Sequence, residues 1–571
     1  MRGPRLAGRQ RIYTDKTREE LSNEAVLRDE LDRVFEIHQH NVEAIRFLSR
    51  YYLGEHPAIL ERKKKIRPDV DNKIVVDYAF SFTRDITGYF LGKSVRYVQR
   101  TTAQELEEKS DAGTDDPFEP RDDAGDKPED GVDGKKPADD APQQGGDGSL
   151  PCPLDDCEAD RKRHGVEELN HIFDIENKGQ VDWDVAVDMS ICGVGYKGVF
   201  VDNDARNGTH LSLSHLDPET TFVVYSAGDV KVPMFAVSYW GNNVKHESDK
   251  KTFVTVYTQD DQFLFEVDGD LRNYTQLTNA SAFRLLSKVP IDFNGSLPII
   301  EYRNNRYGLG DWEVAIPLMD GIDTLASDGV NDVEQFVANV LVAIGIEFDE
   351  ETQETLNNVG VLNVPQLPPG MEYPPDMRYI TPQLDAVGAS SIREYLESCL
   401  RVIVGVPDRK TRGGGGGDTG DAVYMRDGWQ DIDLVAANKE CWFIQSEREA
   451  LNVALYVLGT FGEISDIEVT DVEIKFNRNK TSNVQSKAQV LQTLWNILDP
   501  VDALDISDLT TNVQDVIIRA EKYQEKRLQQ QVAKQNALFS STDAPDGKDD
   551  KKSDFGGDSK FGDSKKDKKD N

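Results

Sequence analysis

Three stretches of helical periodicity lie in the middle of this chain, and what separates them cannot be helix. Trp312, Ile316, Met319, Ile322, Val330, Val333, Val337, Val340 and Ile344 fall on one helical face within residues 311–345. A helix of that extent would span roughly 50 Å. Asp320, Asp323, Asp328, Asp332 and Glu334 decorate the rest of that rod. Residues 346–384 are too rich in proline to continue it. Ser391 and Glu394 make a capping-box pattern at the head of a second helix, IREYLESCLRVIVG. The stretch VGVPDRKTRGGGGGDTGD then reads as a flexible loop. A long helix follows, with Leu434, Ala437, Cys441, Ile444, Leu451, Leu455 and Leu458 as its stripe. Two rods joined by a small knob would carry that knob away from the body, and the loop after the second rod would lead the chain back. The same order also fits an α+β enzyme with a mobile lid.

The flanking regions give the fold class, α+β. Residues 24–52 have a helical face of Leu27, Leu31, Val34, His38, Val42, Ile45 and Tyr52, closed by Gly54 and Pro57. Helix is also expected over Asn72 to Tyr97 and over 166–195. Residues 196–302 change character: TTFVVYSA, VPMFAVSYW, KTFVTVYT and QFLFEVDG are short, aromatic and β-branched, with a hairpin turn at Thr258-Gln259-Asp260-Asp261. They predict an antiparallel β region. The strand DVEIKFNRN and helices near 482–497 and 507–534 close the ordered chain.

The formal net charge is −37, and much of it is local. Residues 104–160 hold 20 acidic and 5 basic side chains among Gly, Pro and Ala, too few apolar groups to offset ordering entropy, so a disordered surface insertion is expected. The tail from Ser541 carries 9 acids and 8 bases and reads the same way. The balance argues against an ordinary DNA-binding protein, whose affinity rests on neutralising phosphates. The best apolar run, Phe336 to Ile346, is 11 residues long and contains Asn339, too short for a membrane span. The basic start MRGPRLAGRQR is followed by no hydrophobic segment, which excludes a secretory signal. Five cysteines, an odd number, fit a reducing compartment.

A search for chemistry finds little. Cys152 and Cys157 form a C-x4-C pair, but zinc needs two further ligands and only His164 is near. The sequence has no HExxH, no GxSxG and no P-loop. The run Gly413 to Gly417 lacks the Lys-Ser/Thr that would reach phosphate and magnesium. His38 lies on an apolar helical face and reads as a core histidine. No metal, cofactor or catalytic residue is expected.

Several stretches, in order, resemble portal proteins of tailed bacteriophages, in the branch typical of long-tailed phages of Gram-positive hosts. They are YYLGEHPAIL (51–60), NKIVVDYAFSFTRDITGYFLGKSVRY (72–97), ICGVGYKGVFVDND (191–204), LPIIEYRNN (297–305), MDGIDTLASDGVNDVEQFVANVLVAIG (319–345), VGVPDRKTRGGGGGDTGDAVYM (404–425) and IKFNRN (474–479). The acidic insertion and the five-glycine run depart from the family pattern.

The resemblance implies a ring of identical subunits, usually twelve, at one capsid vertex. Double-stranded DNA passes through it without sequence-specific binding. It implies an N-terminal helical part of the wing (1–103) and, beyond the insertion read from composition (104–160), a wing with the β region (161–310), stem helices (311–345 and 385–404), a clip (346–384) and a tunnel loop (405–420). A long helix with a returning wing strand (421–481), a crown (482–534) and a disordered tail (535–571) complete it. Arg409, Lys410 and Arg412, beside Gly413, Gly414, Gly415, Gly416 and Gly417, are the implied DNA-facing loop. Glu347, Asp349, Glu350 and Glu351 of the clip are the implied docking surface for terminase and a head–tail connector. A major capsid or scaffolding protein is a further implied partner, and the motor enzyme is a separate protein. The implied location is the virion, after assembly in the host cytoplasm. An acidic channel repels phosphates and keeps a duplex centred, whereas a basic one would hold it. The rival readings are another head–tail virion protein and a nucleotide-handling enzyme with a glycine-rich lid.

Overall fold

The protein is described by a computed structural model covering residues 8–64, 68, 70–100, 154–242, 250–269, 271, 283–337, 340–344, 376–380, 386–408, 429–465, 467–476, 478, 484–495, 497–498, 500–507, 509–510 and 513–540. The fold is α+β. Its chain divides into one unit up to Thr481 and a second from Ser482.

A helix of 29 residues, Glu24–Tyr52, forms where the apolar spacing predicts it, with Asn23 as N-cap accepting from the Ala25 N–H at 3.0 Å. We call it α2, after a single turn α1 at Arg18–Leu21. Its buried face (Leu27, Leu31, Val34, Phe35) packs on a six-stranded sheet, against Phe222, Phe235, Val256 and Phe265. The sheet order is β1 (Ile12–Thr14), β5 (Thr221–Ser226), β6 (Pro233–Gly241), β7 (Lys251–Thr258), β8 (Asp261–Asp268), β9 (Arg284–Pro290). Strands β5 to β9 pair antiparallel as expected, and the β7–β8 hairpin turns at Gln259-Asp260. The N-terminal β1 adds a parallel edge beside β5. A second sheet orders β10 (Ile299–Arg303), β3 (Val194–Val201) and β4 (Leu211–Leu216).

Several expected boundaries move. The helix expected over Asn72 to Tyr97 is confined to Tyr78–Phe90 (α4, following the short α3 at Pro57–Leu60), with Asp77 capping the Phe80 N–H at 3.1 Å. Residues Arg96–Gln99 are instead strand β2, paired with β13 (Val472–Lys475). The 166–195 helix is two, α5 (Leu154–Ile175) and α6 (Lys178–Cys192), broken where Asn177 takes φ 52°. The start of α5 also makes the last seven residues of the expected disordered insertion helical; residues 101–153 lie outside the described residues.

The single rod expected over 311–345 is shorter. A 3-10 turn, Glu313–Ala315, leads into α7 (Ile316–Val337), 22 residues or about 33 Å. Val340–Ile344 is strand β11, antiparallel to β12 (Asp376–Ile380). The β-branched run VLVAI has helical spacing but finds a strand partner, and pairing outweighs periodicity there. The second rod, α8, starts at Ala386, so Ser391 sits inside it and caps nothing. The long helix α9 runs Trp429–Phe461. Of the expected stripe Leu451, Leu455 and Leu458 are buried, as are Ile432, Ala436, Lys439, Phe443, Glu447, Ala450 and Ala454, while Leu434 is 63% exposed and Cys441 is exposed. The second unit holds α10 (Val484–Leu494), α11 (Pro500–Ser507) and α12 (Val513–Ser540). Its middle helix, begun by Pro500 in a first-turn position, was not expected, and α12 carries helix through 535–540 of the expected tail.

His38 is the core histidine its position predicts. Its ring lies 4.3 Å from that of Phe222, and its Nε2 donates to the Glu219 carbonyl at 3.2 Å. Burial pushes its pKa down to about 3. The unfolded chain takes up this proton near pH 6.5 and the folded chain only near 3, so acidification between those values destabilises the fold. His38→Gln, whose amide can keep the bond to Glu219, should flatten the pH dependence of urea unfolding in that window. The change in slope should reach up to ~1.4 kcal/mol per pH unit.

Candidate functional site

The body is organised around one buried carboxylate. Glu447, on α9, accepts at Oε1 from the Tyr97 hydroxyl (2.6 Å) and faces Lys178 Nζ at 2.9 Å. Its Oε2 accepts from Lys197 Nζ (2.7 Å) and the Tyr302 hydroxyl (2.6 Å). Asp182, one turn from Lys178 on α6, pairs with Lys178 and lies 2.5 Å from Lys197. Two ammoniums and two carboxylates thus cancel inside the core. Burial alone would push Glu447 up, but the two lysines and the Tyr302 hydroxyl outweigh it and hold the carboxyl well below the usual range. Burial pushes both tyrosines up, so they remain hydroxyl donors.

Two turns earlier on α9, Lys439 carries this order towards the rods. Its Nζ donates to Asn304 Oδ1 at 2.5 Å and lies 2.8 Å from Asp311 Oδ2. Asp311 also accepts from the Ser190 hydroxyl at 2.6 Å. Next to it both oxygens of Glu313 face one nitrogen of Arg9, Nη2, at 2.6 and 2.7 Å, and its Oε2 also accepts from the Gly310 N–H at 2.9 Å. Gly193 must be glycine: its φ is 77°, and a Cβ would stand 2.2 Å from the Gly308 carbonyl oxygen. The start of α7 is therefore clamped between the N-terminal segment, α6 and α9.

Along α7 the clamp continues. Asp323, Ser327 and Asn331 are fully buried at intervals of four residues, on one helical face. The extended segment 72–76 runs beside them. Asp323 Oδ1 accepts from the Val76 N–H (2.8 Å), Ser327 Oγ from the Ile74 N–H (2.9 Å), and Asn331 Oδ1 from the Asn72 N–H (2.7 Å). Four helical residues rise about 6 Å and two extended residues about 6.6 Å, so the two repeats match over this length. Sequence reading placed Asp323 among surface decoration; only the i, i+4, i+8 polar series facing an alternating extended segment could have signalled its role.

At the near end of this ladder, His56 Nδ1 meets Asp323 Oδ2 at 2.5 Å and its Nε2 faces the Tyr51 carbonyl at 3.2 Å. Tyr51 stacks on the His56 ring at 3.7 Å and donates its hydroxyl to Asp320 at 2.9 Å. His56, Asp320 and Asp323 could hold a cation by residue type. Here His56 and Asp323 bond each other and Asp320 takes the Tyr51 hydroxyl, which makes them a structural latch between the end of α2 and α7.

The second rod is different. α8 packs through Leu396, Leu400 and Val404 against Leu318, Met319 and Ile322 of α7. A neighbouring face carries a second stripe at spacings of three, four and three: Ile392, Tyr395 (68% exposed), Cys399 and Val402 (72% exposed). On α7 a Cβ built at Gly321 or Gly329 would meet nothing.

The residues named from the sequence lie elsewhere. Arg409, Lys410, Arg412 and Gly413 to Gly417 fall outside the described residues, as do Glu347, Asp349, Glu350 and Glu351. Of the expected C-x4-C pair, Cys152 is also outside them, and Cys157 belongs to α5.

Glu447→Gln would leave two buried ammoniums facing a neutral amide. It should destabilise the first unit by about 3–5 kcal/mol, read as a lowered guanidinium midpoint. Tyr302→Phe removes one donor of the four and should cost about 1–2 kcal/mol by the same measurement.

Comparison with curated proteins returns no match. The family model described as phage portal protein, SPP1 Gp6-like, matches residues 31–531, which takes in the β region, both rods, α9 and most of the second unit. The chain belongs to the SPP1 Gp6-like family of phage portal proteins.

Proposed function

We propose that this portal protein forms the ring at one capsid vertex through which double-stranded DNA is packaged and ejected, and on which terminase and a head–tail connector dock. The family match over residues 31–531 carries this reading. The rod pair supports it: α7 is clamped to the body, α8 packs against it, and α8 leaves an apolar stripe without a partner among the described residues. A closed ring of copies would cover such a stripe. Among the described residues no helix is long and apolar enough to cross a membrane.

In this reading α7 and α8 are the stem. Residues 346–384 form the clip, to which β11 adds 340–344, and 405–420 form the tunnel loop. The β sheets with α9 are the wing, and residues 482–534 the crown. Glu347, Asp349, Glu350 and Glu351 offer negative charge to basic partners. Arg409, Lys410 and Arg412 stand beside five glycines in a chain of net charge −37. A few cations touch phosphates briefly, and the prevailing negative charge keeps the duplex sliding. Further contacts with a major capsid or scaffolding protein complete the vertex.

Negative-stain microscopy of the purified chain should show rings with a central hole. Tyr395→Asp with Val402→Asp should yield folded subunits that no longer form rings, read by light scattering and circular dichroism together. A monomer in the parent chain across protein concentrations and salt would reject the assembly. Changing Arg409, Lys410 and Arg412 to Ala should leave rings intact and alter the amount of DNA packaged, with a salt-sensitive effect. Parental packaging by that variant would remove these cations from the DNA path.

A further inference from the structure

We infer that the chain carries an autocatalytic modification site: Lys439 and Asn304 join through an isopeptide bond, with Asp311 as the catalytic residue. The inference concerns the first unit alone and holds whether or not copies close into a ring.

Such a bond needs an amine, a carboxamide and a carboxylate that touches both, and the three meet here. Lys439 Nζ, on α9, donates to Asn304 Oδ1 at 2.5 Å. Asp311 bridges the pair: its Oδ2 lies 2.8 Å from Nζ and its Oδ1 accepts from Asn304 Nδ2 at 2.8 Å. The amide of Asn304 has one consistent orientation, since Nδ2 donates to Asp311 and to the Leu309 carbonyl (3.0 Å) while Oδ1 faces the cation. Its Cγ is one carbonyl bond from Oδ1, about 1.23 Å, so Nζ stands no more than about 3.7 Å from the carbon. Atoms poised to react stand about 3–3.5 Å apart. A small turn of the Asn304 side chain brings Nζ over the face of the carbonyl. Lys439 is 3% and Asn304 6% exposed, so water is excluded from the carbon that the amine attacks. The surroundings fix all three groups. The Ser190 hydroxyl donates to Asp311 Oδ2 at 2.6 Å, the Ser190 carbonyl accepts the Asp311 N–H at 2.8 Å, and the Gly193 carbonyl accepts the Asn304 N–H at 3.0 Å.

The reaction balances without an outside reagent. Asp311 takes a proton from the Lys439 ammonium, and the freed lone pair on Nζ forms the Nζ–Cγ bond while the carbonyl electrons move onto Oδ1. Asp311 then passes its proton to Nδ2, the carbonyl re-forms, and the Cγ–Nδ2 bond breaks with its electron pair staying on nitrogen. The surplus proton on Nζ goes to the departing ammonia, which leaves as ammonium. Asp311 begins and ends as a carboxylate, and nothing is oxidised or reduced. Lys178 and Lys197 have no such partner: they face Asp182 and Glu447, and an ionised carboxylate is no electrophile. The bond joins residues 135 apart. That interval contains α7, α8 and all the chain between them, so the link staples the excursion of the two rods at its base.

Intact-mass spectrometry of the denatured full chain tests this. The protein should be lighter than its sequence by one ammonia, and trypsin should release a branched peptide in which Lys439 Nζ is amide-linked to Asn304. Lys439→Met removes the nucleophile and Asp311→Asn the proton relay, so each variant should keep its full sequence mass. Should both fail to fold, the parent chain still decides. A full sequence mass after prolonged incubation of the folded protein, with Lys439 recovered in a linear peptide, would overturn the inference. An ammonia loss that maps to one asparagine without joining two peptides, as in a succinimide, would overturn it as well.

Discussion

Glu447 accepts from, or pairs with, four buried cations and hydroxyls, and each arrives on a different element: Lys178 on α6, Lys197 on β3, Tyr97 on β2 and Tyr302 on β10. Charges removed from water are tolerated only when every partner is in place. The cluster therefore adds less to stability than to uniqueness. A one-residue slip of α9 would turn Glu447 away and leave two buried ammoniums sharing the one carboxylate of Asp182. Because Lys439 lies eight residues earlier on the same face, the same constraint sets its contact with Asp311 and Asn304, and through them the point where α7 begins. The geometry of the rods is inherited from this ionic centre.

That inheritance fits a portal protein. In the proposed role, a part that holds its shape while DNA moves past needs rods with defined direction, and hydrophobic packing alone permits sliding at small cost. Directional bonds to buried partners do not. The Arg9–Glu313 pair, the Lys439 contacts and the polar ladder on α7 all supply direction, and all lie at or near the base of the pair.

Much of the fold was legible in the sequence where apolar periodicity and burial coincide. Helix α2 and strands β5 to β8 fall where period and composition put them, and His38 reads correctly because its neighbours on the helical face are all apolar. The reading fails where buried positions are polar. On α9 the eye follows leucines and selects Leu434, whereas the buried stripe passes through Lys439 and Glu447, which composition assigns to solvent. On α7 Asp323 is lost for the same reason. The VLVAI run fails differently: its spacing fits a helix, and only its partner DMRYI, more than thirty residues on, makes it a strand. No local pattern can report a partner at that distance. The residues nominated from the sequence as loop and docking positions rest on family likeness, since a run of glycines or of acids has no periodicity to read.

The contacts that fix the body also set an order on its birth. Arg9 and Glu313 are 304 residues apart, Lys197 and Glu447 are 250 apart, and Tyr97 and Glu447 are 350 apart. A chain leaving the ribosome at about 5–20 residues per second exposes its first strand long before the partners of that strand exist. β1 waits for β5, Arg9 waits for Glu313, and the pair of lysines has only Asp182 to share until α9 brings the second carboxylate. The nascent chain spends that interval with its eventual centre open. Its abundant surface acids then act as a solubility reserve, holding copies apart until Glu447 arrives and closes the core.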